Sequence, residues 1–129
     1  MTVEVGQSAS GSFTVGDADT AAALGSGDLP VLGTPRLLAW CEAVTVRVLG
    51  GHLADEASTV GTRVELDHVA ASPVGAGVTV EAVLSEVDGR NLRFDVHAWH
   101  GDQVTIGRGV ISRVLVDRER FLGRWRTAD

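Results

Sequence analysis

Two polar side chains of this 129-residue chain stand at positions where the surrounding pattern is apolar. Glu42 lies in a predicted helix between Leu38 and Val46, and His68 follows Leu66 on the apolar side of a predicted strand. Burying a carboxylate without a partner costs at least about 2 kcal/mol, so such a residue needs a reason. A carboxylate and an imidazole brought together can orient and transfer protons. We therefore treat both as candidate catalytic residues.

A hydroxyl group accompanies this pair at the start of the same helix. Thr34 precedes Pro35, and the two together predict a helix start, with Thr34 as the cap and Pro35 in the first turn. There the Thr34 hydroxyl would lie beside the positive end of the helix dipole. The pattern alone leaves simpler interpretations open: a plain cap for Thr34, a solvated helix edge for Glu42, and a core or interface role for His68.

Other residue types that could do chemistry give weaker signals. His97 and His100 are three residues apart on a predicted strand and point to opposite faces, which is poor geometry for a metal. Cys41 lies on the apolar stripe of the helix, where we expect a buried, unreactive thiol. The chain has no Gly-x-Ser-x-Gly elbow, P-loop or dinucleotide fingerprint. We expect no metal and no cofactor.

One long helix must position Thr34 and Glu42. The sequence predicts it over Pro35–Leu49, with Gly50 and Gly51 as a C-terminal stop. One apolar stripe recurs at helical spacing and comprises Leu37, Cys41, Val44 and Val48. A second stripe beside it comprises Leu38, Glu42, Thr45 and Leu49. A helix that is apolar over so wide an arc is typical of one wrapped by a sheet.

Period-two patterns predict the strands around this helix. A short strand is expected at Gly11–Val15, and four more follow the loop His52–Ser58: Thr62–Ala70, Val78–Val87, Leu92–Trp99 and Gln103–Asp117. Gly107 and Gly109 are expected to bend or bulge the last strand. The order predicts an α+β hotdog fold, in which an antiparallel meander of strands wraps around one long central helix.

Composition predicts a single domain over residues 1–129. Within it, residues 16–33 are expected to form a lid or flexible loop with one helical turn at Thr20–Leu24, and residues 118–129 a flexible basic tail. The net charge of −6 disfavours nucleic acid, and no apolar run is long enough for a membrane span. The N-terminus lacks the pattern of a signal peptide. The single cysteine agrees with a cytoplasmic location.

The chain from Gly33 to Arg113 resembles the fluoroacetyl-CoA thioesterase type of hotdog protein. In that family a Thr precedes the central helix, a Glu follows eight residues later, and Gly-Thr opens the strand that carries a His. Here these residues are Thr34, Glu42, Gly61-Thr62 and His68, in the family's spacing. Further stretches that look like the family are Ala70–Gly75, Gly77–Val80, Glu86–Arg90 and Ile106–Arg113.

The resemblance implies a homodimer with active sites near the subunit interface that hydrolyses an acyl-CoA thioester. Coenzyme A would then be part of the substrate. Thr34 would be the nucleophile or would position the attacking water, and His68 would act as general base and acid. Glu42 would orient its partners or take part in the attack on the carbonyl.

The resemblance also implies a set of residues that bind the substrate. The Gly61 backbone, with the helix N-terminus, would stabilise the oxyanion. Arg113 would be a support or a cation facing the ligand, and we place Leu38 in the same site. A non-catalytic hotdog module that binds acyl-CoA or another small hydrophobic ligand is the alternative. A hydratase is disfavoured because the helix carries a Glu and no His.

The segment before Thr34 departs from the family pattern. The fluoroacetyl-specific member carries an aromatic-rich lid there, whereas Gly25–Gly33 contains no aromatic residue. Pro35 and Arg36 also replace the small or apolar residues expected after the Thr. We therefore expect a different, larger acyl group than fluoroacetyl.

Overall fold

Five antiparallel strands form a single sheet in the computed structural model, which describes residues 2–126. The strands are β1 (Ser8–Thr14), β2 (Ala57–His68), β3 (Gly77–Asp88), β4 (Asn91–His100) and β5 (Thr105–Asp117). Three helices accompany them: α1 (Ala21–Leu24), α2 (Thr34–Val48) and α3 (Arg118–Arg126). The predicted α+β arrangement, a long helix packed on an antiparallel sheet, is confirmed.

The strand order differs from a simple meander. It runs β1-β3-β4-β5-β2, so consecutive pairing holds for β3, β4 and β5 only. β2 crosses to the far side of the sheet and pairs with β5, with His68 opposite Gly107. As a result β2 is an edge strand, and the residues it carries lie at one border of the sheet.

The core lies between α2 and the sheet. The predicted first stripe of the helix is buried in full (Leu37, Cys41, Val44 and Val48). It packs mainly against β1 and β3 and meets the buried side chains of the sheet, among them Val80, Leu84, Phe94 and Ile111. The apolar area thus removed from water provides most of the favourable free energy of folding.

The start of α2 corrects the predicted cap. Gly33 is the N-cap, and Thr34 is the first helical residue rather than the cap itself. No side chain caps this end, and the backbone N–H groups of Arg36 and Leu37 donate to the carbonyl of Gly33. The Thr34 hydroxyl is therefore not used by the helix and is available for another partner.

Residues 16–33 are anchored at several points. The predicted turn is present as α1, and the Thr20 hydroxyl accepts a hydrogen bond from the N–H of Ala23. Leu32 is buried, and its N–H donates to the carbonyl of Ser72. Arg36 also forms an ion pair with Asp19, with Nε and Oδ1 2.9 Å apart. The segment is thus fixed to the loop that follows β2.

The expected flexible tail at residues 118–129 is wrong for its described part, because Arg118–Arg126 is the helix α3. The side chain of Phe121 is half-buried, and Arg118 Nε donates to the carbonyl of Asp55 at 3.0 Å. The basic composition of this segment did not indicate a helix. Residues 127–129 lie outside the described part.

The expected bulge in β5 is present beside Gly107 but not at Gly109. The irregularity of the β4–β5 ladder falls beside Gly107, between the pairs Ala98–Gly107 and Trp99–Thr105. Gly109 lies in a regular part of the ladder. A Cβ atom on it would collide with the carbonyl oxygen of Glu65 in the neighbouring strand, so this glycine allows β2 to approach β5 closely.

We expect Gly109→Ala to destabilise the fold by at least about 2 kcal/mol, because the backbone of β2 must shift to admit the methyl group. Thermal unfolding followed by circular dichroism measures the effect. Gly77→Ala is the matched control, since a Cβ there meets no atom within 4 Å. Equal melting temperatures for the two variants would contradict this account of the β2–β5 contact.

Candidate active site

Thr34 and His68 form a direct contact at one end of the molecule. Thr34 Oγ1 lies 2.8 Å from His68 Nδ1, which joins the first turn of α2 to the last residue of β2. The pair opens into a cavity of about 290 Å³. Its other walls come from the anchored segment and the loop after β2, with Ala21, Ser26, Val31, Val69 and Ala71 among them. The hydroxyl and imidazole are thus both accessible to a ligand.

The surroundings of His68 favour the neutral form of its imidazole. Burial lowers the pKa of His68 below its ordinary value of 6.5, and an interaction with the Ala70 backbone partly opposes this. Nε2 is buried and has no hydrogen-bond partner within residues 2–126. A neutral imidazole can accept the proton of the Thr34 hydroxyl through Nδ1. The pair therefore has the geometry of a hydroxyl and its general base.

Glu42 belongs to a second cluster, built around Arg113. Arg113 is buried, and its Nη1 donates to Glu42 Oε2 at 3.2 Å. Its Nε and Nη2 donate to the hydroxyl and the carbonyl of Thr59 at 2.8 and 3.2 Å. Burial lowers the pKa of Arg113 and the Glu42 carboxylate acts against that shift, so the guanidinium remains charged. The Glu42 side chain keeps 37% of its surface exposed, so it faces solvent beside this pair.

Gly61 lies directly against the Glu42 carboxylate. A Cβ atom at this position would stand 2.7 Å from Glu42 Oε2, which is closer than real Cβ atoms approach an oxygen. The absence of a side chain thus lets the strand backbone and the carboxylate meet. The β2–β5 register shifts between Gly61 and Arg63, and this bulge lets Gly61 face Glu42 while His68 faces Thr34.

The three predicted catalytic residues do not meet within one chain. Thr34 contacts His68, whereas Glu42 contacts Arg113, and no hydrogen bond joins the two groups among residues 2–126. Eight residues of helix separate Thr34 from Glu42, a rise of about 12 Å. Leu38 lies between them on α2 and is half-buried against the core. Within one chain, Thr34 and His68 thus form one group, and Glu42 and Arg113 form another.

Other predictions about reactive groups can be compared with the structure. Burial raises the pKa of the Cys41 thiol to about 12, with the charge of Glu42 adding to the effect, so this thiol is unreactive as expected. Within residues 2–126, no group of three or more His, Cys, Asp or Glu side chains could hold a metal ion. None of the helices there is long and apolar enough to cross a membrane.

Comparison with known proteins agrees with this site. The model of a family described as fluoroacetyl-CoA-specific thioesterase matches residues 15–119. The chain belongs to this family. The fluoroacetyl-CoA thioesterase of Streptantibioticus cattleyicolor is 34% identical over 91 residues, which make up 70% of this chain and 65% of that protein. The match therefore spans slightly less than two thirds of that relative.

Solved structures support the same family and fold. A crystal structure of a variant of the fluoroacetyl-CoA-specific thioesterase has a TM-score of 0.90 and 28% identity, and the match covers 100% of this chain and 99% of that one. A hot-dog-like protein from Thermanaerovibrio acidaminovorans has a TM-score of 0.87 at 21% identity, covering 97% and 93% of the two chains, which bears on the fold alone. The predicted hotdog fold is confirmed.

Sequence reasoning missed Thr59 as a member of the Arg113 cluster. The predicted strand began at Thr62, so Thr59 stood just outside it, although β2 in fact begins at Ala57. The sequence does contain a signal for it, because Arg113 lies in the largely apolar stretch 111–116 and a buried arginine needs polar partners. The neighbouring strand of the sheet can supply such partners. Which residue of that strand faces it depends on the register.

We expect the pKa of His68 to lie below 6.5, because burial disfavours the charged ring. NMR titration of the imidazole protons measures it, with the resonance assigned by its loss in His68→Gln. Since the folded value is lowered, the unfolded chain binds the proton first, and this group reduces the stability as the pH falls from about 6.5 to the lower folded value. A measured pKa at or above 6.5 would contradict the environment described here.

Proposed function

We propose that this protein hydrolyses acyl-CoA thioesters. The observation that carries the proposal is the 2.8 Å contact between Thr34 Oγ1 and a His68 ring whose pKa is lowered, at the mouth of a cavity. Family membership supports the same activity, and a solved complex of a variant of the related fluoroacetyl-CoA thioesterase holds acetyl-CoA. A module that only binds acyl-CoA would need the cavity but not the hydroxyl–imidazole pair.

The chemistry of the pair accounts for both halves of the reaction. His68 takes a proton from Thr34 or from a water molecule, and the resulting oxygen nucleophile attacks the thioester carbonyl. The C–S bond breaks, and the proton passes from His68 to the departing CoA thiolate. If Thr34 attacks, a water molecule then cleaves the acyl ester by the same route. The net reaction consumes one water and yields a carboxylic acid and free CoA.

The first turn of α2 offers a donor for the oxyanion. Pro35 has no N–H, and the N–H groups of Arg36 and Leu37 are used by Gly33. The N–H of Thr34 has no acceptor within residues 2–126, and it lies at the positive end of the helix dipole. Charge that develops on the carbonyl oxygen next to the Thr34 hydroxyl would be stabilised there.

Glu42 joins the reaction, in this proposal, from the second subunit of a homodimer. β2 is an edge strand, and apolar side chains lie exposed near it, with Val64 of β2 42% and Val46 of α2 50% exposed. A two-fold contact along this edge would bury these side chains and bring the Glu42–Arg113 cluster of one subunit towards the other subunit's His68. The Nε2 atom of His68 has no hydrogen-bond partner within residues 2–126, and in this proposal the dimer contact supplies one.

The acyl group is small or medium in size, and selectivity for fluoroacetyl is not expected. The cavity beside Thr34 is walled on the lid side by small or aliphatic groups such as Ala21, Ser26 and Val31. Among the described residues that line this cavity, none carries a phenyl, phenol or indole ring. No cofactor takes part, because coenzyme A arrives with the substrate. A cytoplasmic location rests on sequence composition and stays a prediction.

We expect thiol release from acyl-CoAs by the wild type and a loss of at least ~100-fold in kcat/KM for His68→Ala, the scale of a general base. Thr34→Val should lose a similar factor, since it keeps the shape and removes the hydroxyl. Release is followed with a thiol reagent over acetyl-, fluoroacetyl- and longer acyl-CoAs.

His97→Ala is the matched control for this panel, because that histidine is exposed on β4, where its ring bonds to Thr105 and lies beside Trp99, away from Thr34 and His68. No release with any acyl chain from a folded protein would favour the binding module. A preference for fluoroacetyl-CoA by orders of magnitude would contradict the expected larger acyl group.

Mixed dimers test whether Glu42 acts across the interface. Glu42→Gln and His68→Ala chains should each be nearly inactive alone. A purified heterodimer of the two should regain about half of the wild-type activity, because one of its two sites is then intact. Differently tagged chains allow the heterodimer to be isolated and its thiol release measured.

Two outcomes count against this arrangement. A heterodimer as inactive as its parents would place Glu42 and His68 in the same subunit's site. Full activity of the Glu42→Gln homodimer would show that Glu42 takes no part in the reaction.

A further inference from the structure

A second contact between a hydroxyl and an imidazole involves the loop that follows β2. His100 Nε2 is 3.3 Å from Ser72 Oγ, and His100 Nδ1 is 3.4 Å from the carbonyl oxygen of Gly77. A carbonyl oxygen can only accept, so Nδ1 carries the ring hydrogen and Nε2 accepts from the Ser72 hydroxyl. A single tautomer of His100 therefore satisfies both contacts.

This contact does not form a second active site. Ser72 is fully buried, so its hydroxyl cannot meet a substrate. The cavity beside Thr34 is lined by Ala70 and Ala71, which come just before Ser72 in the chain, and not by Ser72 or His100 themselves. Any effect of the contact on the reaction must therefore pass through the walls of the cavity.

Ser72 holds the loop of residues 69–76, which forms one wall of the cavity. The sequence of this loop is Val-Ala-Ala-Ser-Pro-Val-Gly-Ala, so Ser72 has the only side chain in it that can form a hydrogen bond. The hydroxyl of Ser72 is thus the polar side-chain group through which this wall is fixed to the sheet.

A second wall of the cavity depends on the same residue. Val31 and Leu32 belong to this wall, and the N–H of Leu32 donates to the carbonyl of Ser72 at 2.8 Å. A β-bridge between Val31 and Pro73 lies beside that hydrogen bond. Ser72 therefore contacts His100 of the sheet through its side chain and the segment 16–33 through its backbone.

His100 is itself held by the sheet. It is the last residue of β4 and lies opposite Val78 of β3. Its N–H donates to the carbonyl of Val104 at 2.9 Å, and its carbonyl accepts from the N–H of Gln103 at 2.8 Å. Because these backbone contacts fix the position of the imidazole, the imidazole can in turn fix the loop.

We propose that His100 is a positioning residue for the proposed hydrolysis of acyl-CoA, on which this inference rests. Through the Ser72 hydroxyl it holds two walls of the cavity beside Thr34 in place, and their separation limits the length of the acyl chain. The cavity measures about 290 Å³, so a small shift of either wall changes which acyl chains fit.

Acyl-chain preference tests this role in two variants that break the contact from either side, Ser72→Ala and His100→Leu. In both, we expect a change in the ratio of kcat/KM for the longest acyl-CoA that the wild type hydrolyses to kcat/KM for acetyl-CoA. The ratio should rise about 5-fold, the scale of one net hydrogen bond. His100→Gln keeps an acceptor for the Ser72 hydroxyl and should retain the wild-type ratio. His97→Ala, on the same strand but bonded to Thr105, should also leave the ratio unchanged.

Hydrogen exchange of the Leu32 N–H gives a second measurement that needs no substrate. Its rate, measured by NMR, should rise at least ~5-fold in Ser72→Ala and His100→Leu, because its acceptor belongs to the loop that these variants release. The N–H of Val80, a buried residue of β3, is followed in the same spectra. Comparison with Val80 separates local release of the loop from a general loss of stability.

The two measurements separate this role from the hydrolysis itself. If the wild type hydrolyses no thioester but Leu32 exchange rises in both variants, the hydrolase proposal fails and the hold of His100 on the cavity walls is supported. Wild-type exchange and wild-type acyl preference in both variants would overturn the positioning role and leave the hydrolysis intact. An equal loss of kcat/KM on every acyl-CoA would also overturn it, because the cause would then be a general loss of structure and not the shape of the cavity.

Discussion

The buried guanidinium of Arg113 is the interaction on which the arrangement of the site depends. A charge at this depth is costly unless it is paired and hydrogen-bonded, and 7% of the residue is exposed. Thr59 accepts from it twice, and Glu42 supplies the opposite charge. Because these partners come from β2 and α2, the contacts that satisfy the charge also join the helix to the edge strand. The same pairing fixes Glu42 beside Gly61.

The bulge in β2 allows two residues of this strand, Gly61 and His68, to face the same side of the sheet. Gly61 must face Glu42, and His68 must face Thr34, yet these two strand residues are seven positions apart. Uninterrupted alternation would point them to opposite sides of the sheet. The register shift between Gly61 and Arg63 adds one residue and returns both to the side of α2. The site is therefore built from a local irregularity that also sets the twist of the edge strand.

Strong hydrophobic periods made part of this architecture predictable. The limits of α2 lie within one residue of the expected ones. The start of β2 was not predictable, since Ala57–Val60 is uniformly half-buried and has no alternation. The helix α3 was missed because its basic composition was interpreted as a solvated tail. Thr34 and His68 were identified from their residue types and their spacing in the sequence. Their 2.8 Å contact could not be predicted, because it depends on the register of β2.

The position of Thr34 shows how a helix start can be adapted to chemistry. As a cap, its hydroxyl would bind the backbone of the first turn and be lost to a substrate. With Gly33 as the cap and Pro35 next in the helix, the turn leaves few N–H groups to satisfy and the hydroxyl turns to His68. The rigid helix then holds Glu42 about 12 Å away. In the proposed two-fold dimer, one helix would contribute Thr34 to one site and Glu42 to the other.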